Sequence, residues 1–488
     1  MDAKKVSFVV PVYKTELYLE RSLKSLLEQD YENIEIVVVA DGESAEAKQI
    51  YDRLHRTDKR LIKYVTIPHA GACKARNTGF THTTGDYVSF WDSDCYMETG
   101  AVRVWVKSFD LFPKVSFVYS GYNVLFEQKK FIESNPFDKY LLTCENYIST
   151  MNPMKREVFP GFDEKLESLQ DWDMWLTITE KGHTGHWNEE SAFDTEAPKP
   201  GSISYTGTSP QVWQSRYDAV RNKHGITGRH VVFTSIVDRW RAIEMAKLYN
   251  QDFIFNPGRL PHDHKVIYNI GLYANYMEQS TKAFANTKAK KFNHWTGLDI
   301  DTIYNGVPYR GIKPLVKALD VIDVHYCENE TTLSMLKEIG VNEDKLKVLP
   351  LPMDAKPIAM PKSFKVYCED DGGGSGIRQA VVNACPDIKF ESPDMCEIKN
   401  YACFLSLTES NLPSENLKRF LAADRYCITT YKELYAGYTE PRLDKIINSV
   451  REAKRRWRRR DLNQKAGKHY RALLNPDNFR KEVIDATA

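Results

Sequence analysis

The sequence has no surplus of either charge: 67 Lys and Arg stand against 66 Asp and Glu, a formal net charge of +1. That balance excludes a global attraction to nucleic acid or to an anionic membrane, so any such binding has to come from a local patch. Long apolar runs are missing as well. No stretch approaches the roughly 18 residues that cross a bilayer. The first apolar stretch, Val6 to Val10 behind two lysines, is shorter than a signal-peptide core and reads as a buried strand. The nine cysteines contain no C-x-x-C pair. An odd, scattered set predicts free thiols in a reducing, cytoplasmic setting over a disulfide framework or structural zinc. There is no internal repeat and no low-complexity tract.

What is present is a long, well-mixed chain. Its 488 residues, 42% hydrophobic and 27% charged, predict a folded protein of more than one domain. The opening alternates strand and helix: Val6–Val10, an apolar helix over Leu17–Leu27, the strand Ile34–Val39, another strand–helix pair, then Tyr87–Trp91 running into Asp92-Ser93-Asp94. Such alternation predicts a parallel sheet with helices on both faces. Ligands of such sheets sit at the carboxyl ends of the strands, where Asp41 and Asp92 fall. The texture changes over Ser202–Arg229, with a polar helix over Gln211–His224. A second series then starts, with strands expected at Val231–Ile236, Phe253–Asn256, Val321–Tyr326, Leu346–Leu351, Phe364–Cys368, Ile388–Phe390, Ala402–Leu407 and Cys427–Thr430. Helices fit over Glu328–Ile339, Ile377–Ala384 and Ser414–Ala423, and a long charged helix over Leu443–Leu474 closes the chain. The expected division is 1–228, then two small Rossmann-type lobes, 229–355 and 356–488, joined near the prolines 352, 357 and 361.

Two aspartates one residue apart at the end of a buried strand suit one chemistry in particular. Transfer of a sugar from a nucleotide diphosphate needs the leaving diphosphate neutralised, and a divalent ion held by carboxylates does this as a Lewis acid. Around Asp92 and Asp94 lie further motifs: Phe8-Val9-Val10-Pro11-Val12-Tyr13-Lys14, Leu23-Lys24-Ser25-Leu26-Leu27-Glu28-Gln29, Val38-Val39-Ala40-Asp41-Gly42-Glu43-Ser44, and Ala75-Arg76-Asn77-Thr78-Gly79 behind Lys74. In this order they resemble the family 2 glycosyltransferases of GT-A fold, over residues 5 to about 205. The resemblance implies that Pro11 and Tyr13 frame the nucleobase and that Asp41 accepts from the base or ribose. It implies that Lys74, Arg76 and Asn77 lie at the donor with Asp92, Ser93 and Asp94. Asp94 would be the main ligand of Mn²⁺ or Mg²⁺, and Asp92 a ribose or metal contact.

Inverting transfer also needs a base for the acceptor hydroxyl. Gln170-Asp171-Trp172-Asp173-Met174-Trp175 is similar to the family's E-D-W-D-L-W, which makes Asp171 the expected base and Asp173 the reserve. Three departures stand out: Ala40 replaces the first acid of D-D-G-S, Gln170 replaces the glutamate, and Pro198-Lys199-Pro200-Gly201-Ser202 stands where many relatives carry a metal-binding histidine. The second half resembles the two-lobed GT-B transferases more faintly. The matching stretches are His294-Trp295-Thr296-Gly297-Leu298-Asp299-Ile300, Val348-Leu349-Pro350-Leu351-Pro352 and Glu409–Thr430, where Leu417 and Lys418 replace the second glutamate. It is expected to bind acceptor or hold the assembly. The glycines 372–374 and 376 before a helix suit either a phosphate or a turn.

The expected protein is thus α/β: a GT-A domain followed by a GT-B-like module, moving a sugar from a nucleotide-diphosphate donor, taken as a UDP-sugar, to a saccharide or glycolipid hydroxyl. Two alternatives stay open. One is a phage-type DNA glycosyltransferase acting on hydroxymethylated bases, suggested by Lys454-Arg455-Arg456-Trp457-Arg458-Arg459-Arg460, a segment otherwise read as solvated surface. The other is a non-catalytic sugar-binding scaffold. His262 and His264 are read as surface rather than as a metal pair.

Overall fold

The computed structural model describes residues 4–126, 129–132, 134–190, 192–197, 210–254, 264–273, 276–285, 287–296, 298–304, 314, 316–352, 363–369, 375–391, 401–406, 420, 423, 425–429, 437–438, 443–459, 464, 468, 471–472 and 474–485. They form two compact units, Met1–Arg229 with Pro261–Asp263, and His230–Leu260 with His264–Ala488.

In the first unit the apolar runs become strands because each is buried on both faces. β1 (Val6–Val12) lies between β2 (Ile34–Asp41) and β4 (Tyr87–Phe90), parallel to both, and β3 (Leu61–Ile67) extends the sheet beyond β2. Period-2 alternation divides β1 and β2 between two cores. Val6, Phe8, Val10, Val12, Ile36 and Val38 pack to one side with Leu19, Leu23, Leu26 and Trp105. Val9, Val37 and Val39 pack to the other with Trp172 and Trp175. The first side is covered by helices α1 (Glu16–Leu27) and α2 (Ala45–Thr57), the latter capped by Ser44. Helix α3 (Ala72–Phe80) lies directly on β1 and β2. A Cβ at Gly79 would stand 2.3 Å from Val9 Cγ1, so the glycine of the A-R-N-x-G motif is demanded by this close approach.

The remaining strands depart from a wholly parallel sheet. β9 (Met154–Lys155) runs antiparallel beside β4, and β6 (Phe117–Ser120) and β10 (Gly185–Asn188) lie beyond it, giving the order β10-β6-β9-β4-β1-β2-β3. A smaller sheet has the order β5-β11-β7-β8, from Cys95–Met97, Phe193–Glu196, Tyr122–Leu125 and Lys129–Ile132. Helices α4 (Ala101–Leu111), α5 (Lys139–Cys144), α6 (Gln170–Glu180) and α7 (Pro210–Lys223) complete the unit.

The second unit carries two sheets, each parallel throughout. The first contains β12 (Val231–Thr234), β13 (Asp252–Ile254), β14 (Val266–Ile270), β15 (Lys290–Trp295), β16 (Val324–Cys327) and β17 (Leu346–Val348), in the order β13-β12-β14-β15-β16-β17. The second contains β18 (Lys365–Glu369), β19 (Lys389–Glu391), β20 (Cys403–Ser406), β21 (Tyr426–Thr429) and β22 (Gly437–Tyr438), in the order β19-β18-β20-β21-β22. Both follow the doubly wound pattern in which the second strand lies outside the first.

β14 and β15 had no place in the sequence reading. Lys290–Trp295 is polar, yet Asn293 and His294 are fully buried. They are paired across the sheet, Asn269 Nδ2 to Asn293 Oδ1 at 2.6 Å and Tyr268 Oη to His294 Nδ1 at 2.9 Å. Buried polar side chains satisfied by neighbouring strands defeat an apolar-alternation test.

The basic C-terminal segment is also settled in part. Its helix spans Leu443–Arg458 among the described residues. Trp457 packs on Phe364 against the core of the second sheet, at 5.7 Å between rings. Lys454 pairs with Asp387, and Arg455 and Arg456 pair with Glu452. Trp457 is therefore partly buried against that core. Eight cysteines are free and buried. His262, Lys199, the glycines 372–374, Cys396 and most of Glu409–Thr430 lie outside the described residues. His264 is buried and bonded to Asp252 at 2.8 Å, not on the surface.

Candidate active site

The carboxyl ends of β1 to β4 lie side by side because the four strands are parallel neighbours. Pro11 stands at the end of β1, and the exposed Tyr13 follows it. Beyond β4 come Asp92, Ser93 and Asp94. A hydroxyl contact between Thr15 Oγ1 and Ser93 Oγ at 2.6 Å ties the two ends together.

Asp41 closes β2 and is buried. Its carboxylate accepts from Ala70 N at 2.7 Å, Gly71 N at 2.9 Å and His69 Nδ1 at 2.9 Å. These bonds pin the turn that starts α3, where Gly71 holds φ +92°. Asp41 therefore shapes the wall of the site, and His69 is the group it presents. The His69 ring lies on Tyr13, centroids 4.0 Å apart and 9° from parallel. His69 escaped the sequence reading. Its position two residues past a strand of a parallel sheet was the available signal.

Arg76 projects from α3 and is buried. It donates to Asp92 Oδ1 at 2.7 Å and also acts electrostatically on Asp171. Lys74 and Asn77 face another partner: Lys74 pairs with Glu164 at 3.3 Å, and Asn77 Nδ2 donates to Glu164 Oε1 at 3.0 Å and to the Phe162 carbonyl at 2.9 Å. Asn77 Oδ1 in turn accepts from Phe162 N. The structure thus joins Asp92, Arg76 and Asp171, and sets Lys74 and Asn77 to hold the 162–164 loop.

Burial, with Asp92 beside it, raises the Asp94 carboxyl to about 6. Two close carboxylates at one strand end form a repulsion that a divalent cation would relieve. The described residues hold no group of three or more metal-ligating side chains. A divalent ion bound here would be held by Asp92 and Asp94, and two carboxylates suffice where substrate phosphates and water complete the shell. Glu196, at the end of β11, reaches this place through its amide, which donates to the Asp94 carbonyl.

Asp171 stands in the first turn of α6. Desolvation raises its pKa against the pull of the Trp172 amide, Arg76 and Asn146. Trp172 N donates to Oδ1 at 2.9 Å and Asn146 Nδ2 to Oδ2 at 2.8 Å. Asn146 lies in a stretch without periodicity and gave no sequence signal. Asp173, the reserve, is committed elsewhere: it is buried and bonded to His224 at 2.9 Å and Lys223 at 2.8 Å.

Comparison with known proteins follows the same division. Residues 7–159 match the model of Glycosyl transferase family 2. Glycosyltransferase GlyA of Streptococcus pneumoniae is 41% identical over 103 residues, 21% of this chain and 15% of that protein. The Escherichia coli UDP-Glc:alpha-D-GlcNAc-diphosphoundecaprenol beta-1,3-glucosyltransferase WfaP is 28% identical over 189 residues, 36% of this chain and 71% of that protein. Among solved structures, Staphylococcus aureus TarS 1-349 in complex with UDP-GlcNAc aligns over 68% of this chain and 83% of its own, at 15% identity and a TM-score of 0.38. That likeness is too slight to carry weight. The chain spans a third or less of three of its curated relatives, 15%, 32% and 28% of their lengths. The match to the family model thus lies within the first unit, over residues 7–159.

Proposed function

We propose that the chain is an inverting, metal-dependent glycosyltransferase of GT-A type. It would take a sugar from a nucleotide-diphosphate donor and attach it to an acceptor hydroxyl. The observation that carries this reading is the convergence on Arg76, which bonds Asp92 of the D-x-D pair and acts on Asp171. Asp171 lies beyond the 7–159 match, so its role rests on this geometry and on the motif around it. A UDP-sugar is the donor of first choice, because a relative of which the chain covers 71% is named for UDP-Glc. The same name makes a lipid-linked saccharide the acceptor class to try first.

In this reading Tyr13 and His69 offer the aromatic wall for the nucleobase, with Pro11 framing it. Asp92 and Asp94 would hold a divalent ion, which would supply charge neutralisation for the diphosphate. Asp171 accepts the proton of the attacking hydroxyl while the anomeric carbon inverts; its raised pKa suits a base. The second unit is read as a GT-B-like module that binds acceptor or holds the assembly. Its two doubly wound parallel sheets support that reading, as does the return of the chain end to the first of them, where Phe479 stacks near Tyr249 and Phe233.

The test is release of UDP from a panel of UDP-sugars with Mn²⁺, for wild type, Asp94→Ala and Asp171→Asn. Wild type should turn over at least one donor, with each variant slower by about 100-fold or more. Equal rates in all three, or none from any donor, would reject the reading.

A further inference from the structure

We propose that Asn146 is a positioning residue for Asp171, fixing its carboxylate and setting the pH at which it accepts the acceptor's proton. This rests on the reading of Asp171 as the base. The amide of Asn146 has one possible orientation: Ile148 N donates to its Oδ1 at 3.2 Å, so the NH₂ end is the one that meets Asp171 Oδ2 at 2.8 Å. The turn that carries it is itself held. Ile148 is buried, Trp172 Nε1 donates to the Leu142 carbonyl at 2.6 Å, and Tyr217 Oη donates to the Cys144 carbonyl at 2.7 Å. The residues before Asn146 are thereby fastened to α6 and α7, and Ile148 after it packs in the core that holds Trp172 and Tyr217.

With Oδ1 on the Trp172 amide and Oδ2 on Asn146, the carboxylate cannot rotate without losing both bonds. Each oxygen still keeps a lone pair for an incoming proton. The charged groups that bear on Asp171 are few. Arg76 faces it from α3. On α6, Asp173 is turned to His224 and Lys223, with Glu180 and Asp163 beyond them. Among the side chains that hydrogen-bond the base, the neutral amide of Asn146 is therefore placed to favour the ionised form without adding charge.

The decisive variant is Asn146→Asp. It keeps the shape and the oxygen for Ile148 N, but replaces the donor toward Asp171 by an acceptor. With a UDP-sugar that wild type hydrolyses in the presence of Mn²⁺, we expect kcat on the acid limb to fall about tenfold, with the plateau kcat and the KM for the donor holding within about twofold. The acid limb of the kcat profile should move up by about one pH unit, which is the same tenfold factor. Asn146→Ala should move the limb in the same direction, and it provides the test if the aspartate variant does not fold. A structural role alone would lower activity evenly across pH. An unchanged limb and kcat in both folded variants would overturn the inference. If Asp171→Asn is itself as active as wild type, the reading of the base fails instead.

Discussion

Arg76 is a buried cation whose guanidinium is shared between two motifs distant in sequence. It bonds Asp92 at 2.7 Å and acts on Asp171, and its Nε is buried with no hydrogen-bond partner. Removing it leaves Asp92 and Asp94 facing each other without compensation. For Arg76→Met we expect a loss of about 2 kcal/mol in stability by urea unfolding, given the worth of hydrogen bonds to charged groups. UDP release should fall by about 100-fold or more even where the protein remains folded. Full activity in a folded variant would show that Arg76 has no electrostatic part in turnover. The residues of the site differed in how far the sequence announced them. Asp92, Asp94, Arg76 and Asp171 stand in motifs tied to strand or helix ends. His69 and Asn146 do their work through a ring contact and an amide bond that only the folded chain creates. Asp41 was legible as important, but its bonds to Ala70, Gly71 and His69 gave it a shaping task that no motif states.

Between α6 and α7 the connection is ionic. His224 bridges Asp173 at 2.9 Å and Glu180 at 2.8 Å, while Lys223 bridges Asp173 and Asp163, each at 2.8 Å. Burial works against both charges, yet these bonds raise the His224 pKa above 6.5 and hold Asp173 below 3.8. A raised histidine stabilises fully below its unfolded value and loses that contribution as pH climbs through the folded one. A depressed aspartate stabilises above its unfolded value and loses it as pH falls through the folded one. The tether is thus strongest from about pH 4 to about pH 6.5. Thermal melting of wild type and His224→Gln should differ most near pH 5.5, by about 1–2 kcal/mol or several degrees, and the gap should narrow above pH 7. A gap constant across pH would refute the ionic tether. Such tertiary pairs lie beyond any periodicity, whereas β1 and β2 could be read directly, because Val6, Phe8, Val10, Ile36 and Val38 face one core in strict alternation. β14 and β15 were not legible for the opposite reason. Their buried Asn269 and His294 are bonded to Asn293 and Tyr268 across the sheet, and also to the Gly271 carbonyl and to Glu328.

At the scale of the whole molecule, each unit closes its own cores. Among the described residues, the clusters around Phe8 and around Trp172 draw on residues up to Ile226. Those around Trp295 and Val366 draw on described residues from Leu272 and from Phe364 onward. Tyr13, Asp41, Arg76, Asp92, Asp94 and Asp171 all fall within the first unit. Arg229 also belongs to that unit, donating to Thr143 Oγ1 at 2.9 Å. Because burial within a unit is the main source of its stability, a chain ending after Arg229 should fold and melt cooperatively. It should release UDP from UDP-sugars with Mn²⁺ at a rate within about threefold of the full chain, since each chemical group of the donor half is retained. The acceptor-dependent rate, measured with a lipid-linked saccharide, should fall much further if the second unit binds acceptor. Equal loss of both rates in a folded fragment would place a donor-side group in the second unit. Equal retention of both would leave the second unit no part in transfer.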